Sequence, residues 1–193
     1  MGQRVVEVAV DRYVGWMERF EANNAHGPQR VVRVGEPLPL PLVVLLIRRG
    51  GYAVGVVTDA GLVAHKVGSR RVQSRTAAGG WSQQRFARRR ANQADALVAA
   101  VQDHLARLRA ETAVMSAAVV RGGDRALVAE VLEDARLRDL ADLPSRDYPG
   151  LPDPRRTVLD DIVARATAYQ VTIDDGPTES APASPPSGPT SVS

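Results

Sequence analysis

The sequence contains no cysteine, which excludes a disulfide framework and any thiolate metal site. Histidine is nearly as scarce. His26, His65 and His104 are far apart along the chain, and no zinc site is expected from them. Aromatic residues make up 4% of the 193 residues against 44% hydrophobic, so one good core has to be built mainly from Val, Leu and Ala. The longest apolar run, Leu42 to Ile47, is far below the roughly 20 residues of a membrane span. Met1 to Val10 carries Arg4 and Glu7 and has no apolar signal region. A soluble, cytoplasmic protein with no membrane partner is expected. One further absence is local: from Ala60 through Ala94 there is no Asp or Glu. The same window holds Lys66, Arg70, Arg71, Arg75, Arg85, Arg88, Arg89 and Arg90, although the formal charge of the whole chain is only +3. A basic patch on a nearly balanced protein points to a defined polyanion site, with a solvated helix face as the plainer reading.

Val5, Val6, Val8 and Val10 read as a first strand. Asp11 is placed to cap a short helix with Val14, Met17 and Phe20 at helical spacing and Trp16 close by. Arg30 to Val34 reads as a short strand, and the three prolines of Glu36 to Pro41 make an extended connector. Leu42 to Arg48, Tyr52 to Thr58 and Leu62 to Val67 are joined by Gly-containing turns and form an antiparallel meander. After Gly68 the apolar pattern lapses, and residues 68–81 are expected to be a mobile, basic loop. A long helix follows from about Ser82 to Glu111, with Val98, Val101, Leu105 and Leu108 as its apolar stripe, widened by Leu97. Its first turns lack a stripe and are expected to project outward with their arginines. Met115 to Val120 reads as a strand, Arg121 to Asp124 as a turn and Arg125 to Ala135 as a helix. Pro144 to Pro154 reads as a loop, Thr157 to Ala166 as a helix and Tyr169 to Ile173 as a last strand. The expectation is a single α/β (α+β) domain over residues 1–173, with a mixed, largely antiparallel sheet and packed helices. Its core spans 42–112 and includes the loop at 68–84. Residues 174–193 are dominated by Pro, Ser, Gly and Thr and are expected to be a disordered tail.

The stretch that organises the chain runs from Arg75 to Gln93. Gly79 and Gly80 can take positive φ and let a ligand approach the backbone closely. Trp81, Ser82, Gln83 and Gln84 follow, and then Arg85, Arg88, Arg89 and Arg90. Guanidinium forks match phosphate oxygens, so these arginines, with Arg71 and Arg75, are candidate RNA contacts. Residues 85, 88 and 89 share one helical face and 90 lies about 100° further round. Arg85 or Arg90 could instead brace the loop by packing its stem under Trp81 or Phe86. Trp81 could stack on a base, at roughly 1–3 kcal/mol, or fold the loop back.

The run Gly79-Gly80-Trp81-Ser82-Gln83-Gln84-Arg85-Phe86-Ala87-Arg88-Arg89-Arg90 resembles the middle domain of archaeal and eukaryotic class I peptide-release factors. That domain carries Gly-Gly-Gln-Ser-x-x-Arg-Phe-x-Arg-x-Arg at the start of a helix. The hairpin Gly51 to Gly61 resembles the same domain's strand–turn–strand. Trp81 stands where the release factor has its catalytic glutamine. Gly80-Trp81-Ser82-Gln83 is similar instead to the Gly-x-x-Gln of the Vms-type release factors of ribosome quality control and their bacterial relatives. The resemblance implies a ribonuclease-H-like middle-domain architecture. It also implies hydrolysis of the ester between nascent peptide and tRNA, with the large ribosomal subunit, rRNA and peptidyl-tRNA as partners and no DNA. It gives Gln83 the water-positioning role, with Gln84 in reserve, and Gly79 and Gly80 the shaping of the tip. A glutamine amide offers a donor and an acceptor without a charge to desolvate, and no cofactor or metal is called for. No segment resembling the codon-reading domain of those release factors is found, so action without a codon is expected, on stalled or split large subunits.

Two other readings compete: a non-catalytic ribosomal or RNA-binding protein using the same basic helix, and a metal-dependent nuclease. The paired glutamines beside Gly-Gly favour hydrolysis over binding alone. The acid-free loop disfavours the nuclease, because hard divalent cations want carboxylates. Asp11, Asp59, Asp124, Asp160 and Asp161 are the carboxylates such a cluster could draw on, and each reads more simply as a turn, cap or helix-surface residue.

Overall fold

The computed structural model describes residues 2–69 and 82–176, and of residues 82–91 the backbone alone. Its centre is a five-stranded sheet of order β5-β4-β3-β6-β7. β3 (Leu42–Arg48), β4 (Gly51–Thr58) and β5 (Gly61–Ser69) form the expected antiparallel meander. β6 (Ala118–Gly123) pairs parallel to β3, and β7 (Ser145–Tyr148) parallel to β6. β3 is apolar at six successive positions because both of its faces are buried. Val43, Leu45 and Ile47 point to one core, with Tyr52, Val54, Val56 and Val119. Leu42, Val44 and Leu46 point to the other, with Ala53, Val57 and Val120.

α2 (Ser82–Thr112) and α3 (Arg125–Leu132) cover the first face. The expected stripe of Leu97, Val98, Val101, Leu105 and Leu108 is what α2 buries. α4 (Arg156–Ala166) covers the second face through Leu159, Ile162 and Ala166. The mixed α/β expectation therefore holds, with the strand order of the meander continued by two parallel strands.

Several local expectations are corrected. The strands near the two ends of the chain do not extend the main sheet. β1 (Gln3–Val8), β8 (Tyr169–Asp174) and β2 (Arg30–Gly35) make a second, antiparallel sheet of order β1-β8-β2. α1 (Tyr13–Asn23) lies on it through Tyr13, Trp16 and Phe20, with Tyr13 stacked 4.0 Å from Tyr169. Val14 is 68% exposed, so the packed stripe is offset from the expected one. Asp11 falls within a 3-10 turn and makes no cap bond; α1 starts from Arg12 without a side-chain cap. Gly68 and Ser69 belong to β5, and Asp174 closes β8. The loop at 70–81 and the tail at 177–193 lie outside the described residues.

Arg121 to Gly123 is strand, not turn. A Cβ at Gly122 would sit 2.4 Å from Leu151 Cδ1 and 2.8 Å from Leu46 Cδ2, so this glycine marks close packing of the sheet against the second core. The chain turns only at Gly123, at φ +95°, after which Asp124 caps α3 by accepting from the Ala126 and Leu127 amides. α3 ends at Leu132, short of the expected Ala135.

The two sheets are joined by Arg146. Its guanidinium donates to the carbonyls of Arg165 and Ala166 at the end of α4 and to Glu36 in the connector. Arg165 in turn pairs with Glu7 of β1 at 2.7 Å and lies 4.7 Å over the Tyr148 ring. At the far side, the Asp175 amide bonds the Gly2 carbonyl.

Candidate functional site

Four structural termini meet at one end of the main sheet. Arg48 ends β3 opposite Gly51, Ser69 ends β5 opposite the same Gly51, and Gly123 ends β6 beside Ile47. The chain leaves this end after Ser69 and rejoins the described structure at Ser82. α2 returns to the opposite end, where β6 starts beside Leu42, so its N-terminal turns lie towards the end that β5 leaves.

α2 is 31 residues long, about 46 Å at 1.5 Å per residue. Ala94 is the first described side chain of α2 that packs against the core, and Asn92 and Gln93 are exposed. Ser82 to Gln93 span about 18 Å of helix ahead of Ala94.

Of the residues singled out in the sequence, Arg71, Arg75, Gly79, Gly80 and Trp81 lie outside the described residues. Ser82, Gln83, Gln84, Arg85, Arg88, Arg89 and Arg90 fall on the first turns of α2, where the backbone is helical. The expected catalytic loop at 68–84 is thus bounded by strand through Ser69 and by helix from Ser82. Gln83 and Gln84 occupy the first helical turn, where backbone N–H groups have no partner within the helix.

The described surroundings add a feature that the sequence reading missed. Tyr52, buried at the start of β4, lies flat on β5: a Cβ at Gly68 would be 2.3 Å from Tyr52 Cε1 and 2.6 Å from Cζ. His104 of α2 stacks on the same ring, with centroids 5.7 Å apart and planes 22° apart. The ring is the wedge between the strand that leads out of the sheet and the helix that leads back. Burial lowers the His104 pKa below the ordinary imidazole value, Lys66 and Arg107 add to that, and Asp103 opposes it. Burial raises the Tyr52 hydroxyl. The signal available in the sequence was a glycine opposite a strand aromatic, a pairing visible only once the β4–β5 register is known.

The remaining candidates are kept apart. His26 and His65 are exposed, and His65 Nε2 lies 2.9 Å from Arg156 Nη1. Asp124 caps α3, Asp160 pairs with Arg156, Asp161 with Arg165, and Asp59 sits in the β4–β5 turn. Among the described residues no group of three or more His, Asp or Glu could hold a metal ion. None of their helices is long and apolar enough to cross a membrane.

The main sheet thus leads, through a segment that contains Gly79 and Gly80, to the arginine-dense start of a long helix. Comparison with known families names the group: residues 40–172, more than half of the chain, match the family model of the Actinobacteria/Chloroflexi VLRF1 release factors. The chain belongs to that family, and a ribosome-associated, release-factor-like role in translation follows. Among curated proteins, none matches it by sequence.

Proposed function

We propose that the protein is a peptidyl-tRNA hydrolase that frees nascent chains from tRNA on stalled or split large ribosomal subunits in the cytoplasm, without reading a codon. The observation that carries the reading is the Gly80-Trp81-Ser82-Gln83 sequence ending on the first turn of α2, in a chain of the release-factor family. Water adds to the carbonyl carbon of the ester that joins the peptide to the tRNA 3′ end. The tetrahedral intermediate then expels the ribose hydroxyl, and the peptide departs as a carboxylate. Gln83 orients the water through its amide, with Gln84 one position further on. Orienting a reactant in this way removes on the order of 7–11 kcal/mol of barrier in favourable cases. Backbone amides at Gly79 and Gly80, together with unpaired amides of the first helical turn, face the developing oxyanion. Trp81 and Ser82 contact the tRNA end. Arg71, Arg75, Arg85, Arg88, Arg89 and Arg90 hold the phosphates of rRNA and tRNA. No cofactor takes part.

Peptide release from peptidyl-tRNA on purified large subunits tests this, with Gln83→Ala, Gln84→Ala and the double variant. The double variant is expected to lose at least a hundredfold in rate while still binding subunits. Full activity in all three would sink the assignment of Gln83 and Gln84, whereas binding without release by the parent chain would favour a non-catalytic RNA-binding role. Loss of release in EDTA, with subunits kept intact, would favour metal chemistry instead.

A further inference from the structure

The end of the sheet from which the chain leaves β5 carries a second group of cations, remote in sequence from the arginines of α2. Arg48 ends β3, Arg49 lies in the β3–β4 turn, Arg125 opens α3, and Arg155 precedes α4; all four are exposed. A notch of about 300 Å³ brings Arg48, Arg49, Gly50, Gly123, Asp124, Pro149 and Asp153 together. Arg125 follows directly on Asp124. Arg155 lies two residues beyond Asp153, whose carboxylate sits about 3.5 Å from where a Gly50 side chain would begin.

Most of the acids here are already engaged. Asp124 is held by the Ala126 and Leu127 amides, Asp147 by Arg121 at 2.7 Å, and Asp160 by Arg156 at 2.8 Å. Asp124 and Asp153 are the two carboxylates lining the notch, and neither makes an ion pair among the described residues. Arg48 donates to the Leu151 carbonyl, which orients its stem and leaves its charge uncompensated. Arg49, Arg125 and Arg155 make no ion pair among the described residues. Four exposed arginines thus gather, beside the carboxylates of Asp124 and Asp153, at the end of the sheet towards which the N-terminal turns of α2 lie.

We propose that Arg49, Arg125 and Arg155 form a second RNA-backbone contact surface, flanking the α2 arginines and gripping ribosomal RNA phosphates beside the reaction site. This rests on the reading of the protein as an RNA-bound release enzyme. The surface is built on a turn and two helix starts fixed to the sheet. Its three guanidinium groups are thus presented by a rigid frame, at smaller entropic cost on binding than a flexible segment would incur.

The test uses the full chain in two triple variants with the same change in charge. One replaces Arg49, Arg125 and Arg155 by Gln; the other replaces the exposed Arg12, Arg19 and Arg33 of the smaller sheet and its helix by Gln. Binding to intact large subunits and to deproteinised large-subunit rRNA is measured against potassium chloride concentration. Each lost phosphate contact lowers the slope of log K against log salt by about 0.7–0.9. The first triple variant should therefore lose about 2–3 from that slope on both probes, with little change for the second. Equal effects from the two variants, or none from the first, overturn the proposal. A loss confined to intact subunits assigns the surface to a ribosomal protein and overturns it as well. Binding by the Gln83→Ala, Gln84→Ala double variant should match the parent chain, so failure of the hydrolytic reading leaves this measurement intact.

Discussion

Gly68→Ala tests whether the Tyr52 wedge sets the geometry between β5 and α2. Without a neighbour, replacing a strand glycine by alanine stabilises a protein by about 0.4–1 kcal/mol, because the unfolded chain loses freedom. Here the new methyl would lie 2.3 Å from Tyr52 Cε1, 2.6 Å from Cζ and 2.8 Å from the hydroxyl oxygen. Real carbon contacts are near 3.5–4.0 Å, so the ring must move by more than 1 Å. It cannot move freely, because Tyr52 is 7% exposed and His104 is stacked on it. Overpacking of this kind costs about 1–3 kcal/mol. The net expectation is destabilisation by about 1–2 kcal/mol in urea unfolding. Tyr52→Leu removes the colliding Cε1, Cζ and Oη atoms at a cost of its own. In that background Gly68→Ala should turn stabilising, by up to about 1 kcal/mol. The reversal of sign is the diagnostic. A Gly68→Ala effect that is neutral in the parent, or equally damaging in both backgrounds, would refute the wedge.

His104 is held neutral by its surroundings, so protonation must favour unfolding. Its folded pKa lies below the ordinary value near 6.5, and stability should fall as pH drops from 7 through that range. Urea titrations at pH 7.5 and 5.5 should show this loss in the parent and a smaller one in His104→Gln. Arg146→Ala should lower stability by about 2–4 kcal/mol, since it strands the carbonyls of Arg165, Ala166 and Glu36 that the guanidinium now satisfies. Arg146→Lys should recover only part of this, because an ammonium lacks the planar fork. If residues 1–173 fold as one unit, the parent unfolds in a single transition, and Arg146→Ala separates the two sheets into two.

The meander was legible because β3 to β5 combine apolar β-branched residues with glycine turns, which are local signals. α2 was legible from its stripe. β7 was not: Ser145-Arg146-Asp147-Tyr148 has no apolar alternation, lies between prolines, and is a strand only because β6 offers it a parallel partner. The turn expected at Arg121 to Asp124 failed for a related reason, since Gly122 is small to admit Leu151 and Leu46. Membership of a second sheet was beyond local reading, because Gln3 pairs with Asp174 across almost the whole chain. The stretch from Arg75 to Gln93 was readable as residue types in register. The wedge of Gly68, Tyr52 and His104 was not, because three elements contribute one residue each.

The bond between the Asp175 amide and the Gly2 carbonyl means that the described polypeptide closes on itself. A circular permutant that links these two points and opens in the β4–β5 turn, at Asp59-Ala60, should keep every strand pairing. The same adjacency means that partners joined directly at Gly2 and at Asp175 would emerge side by side from the smaller sheet.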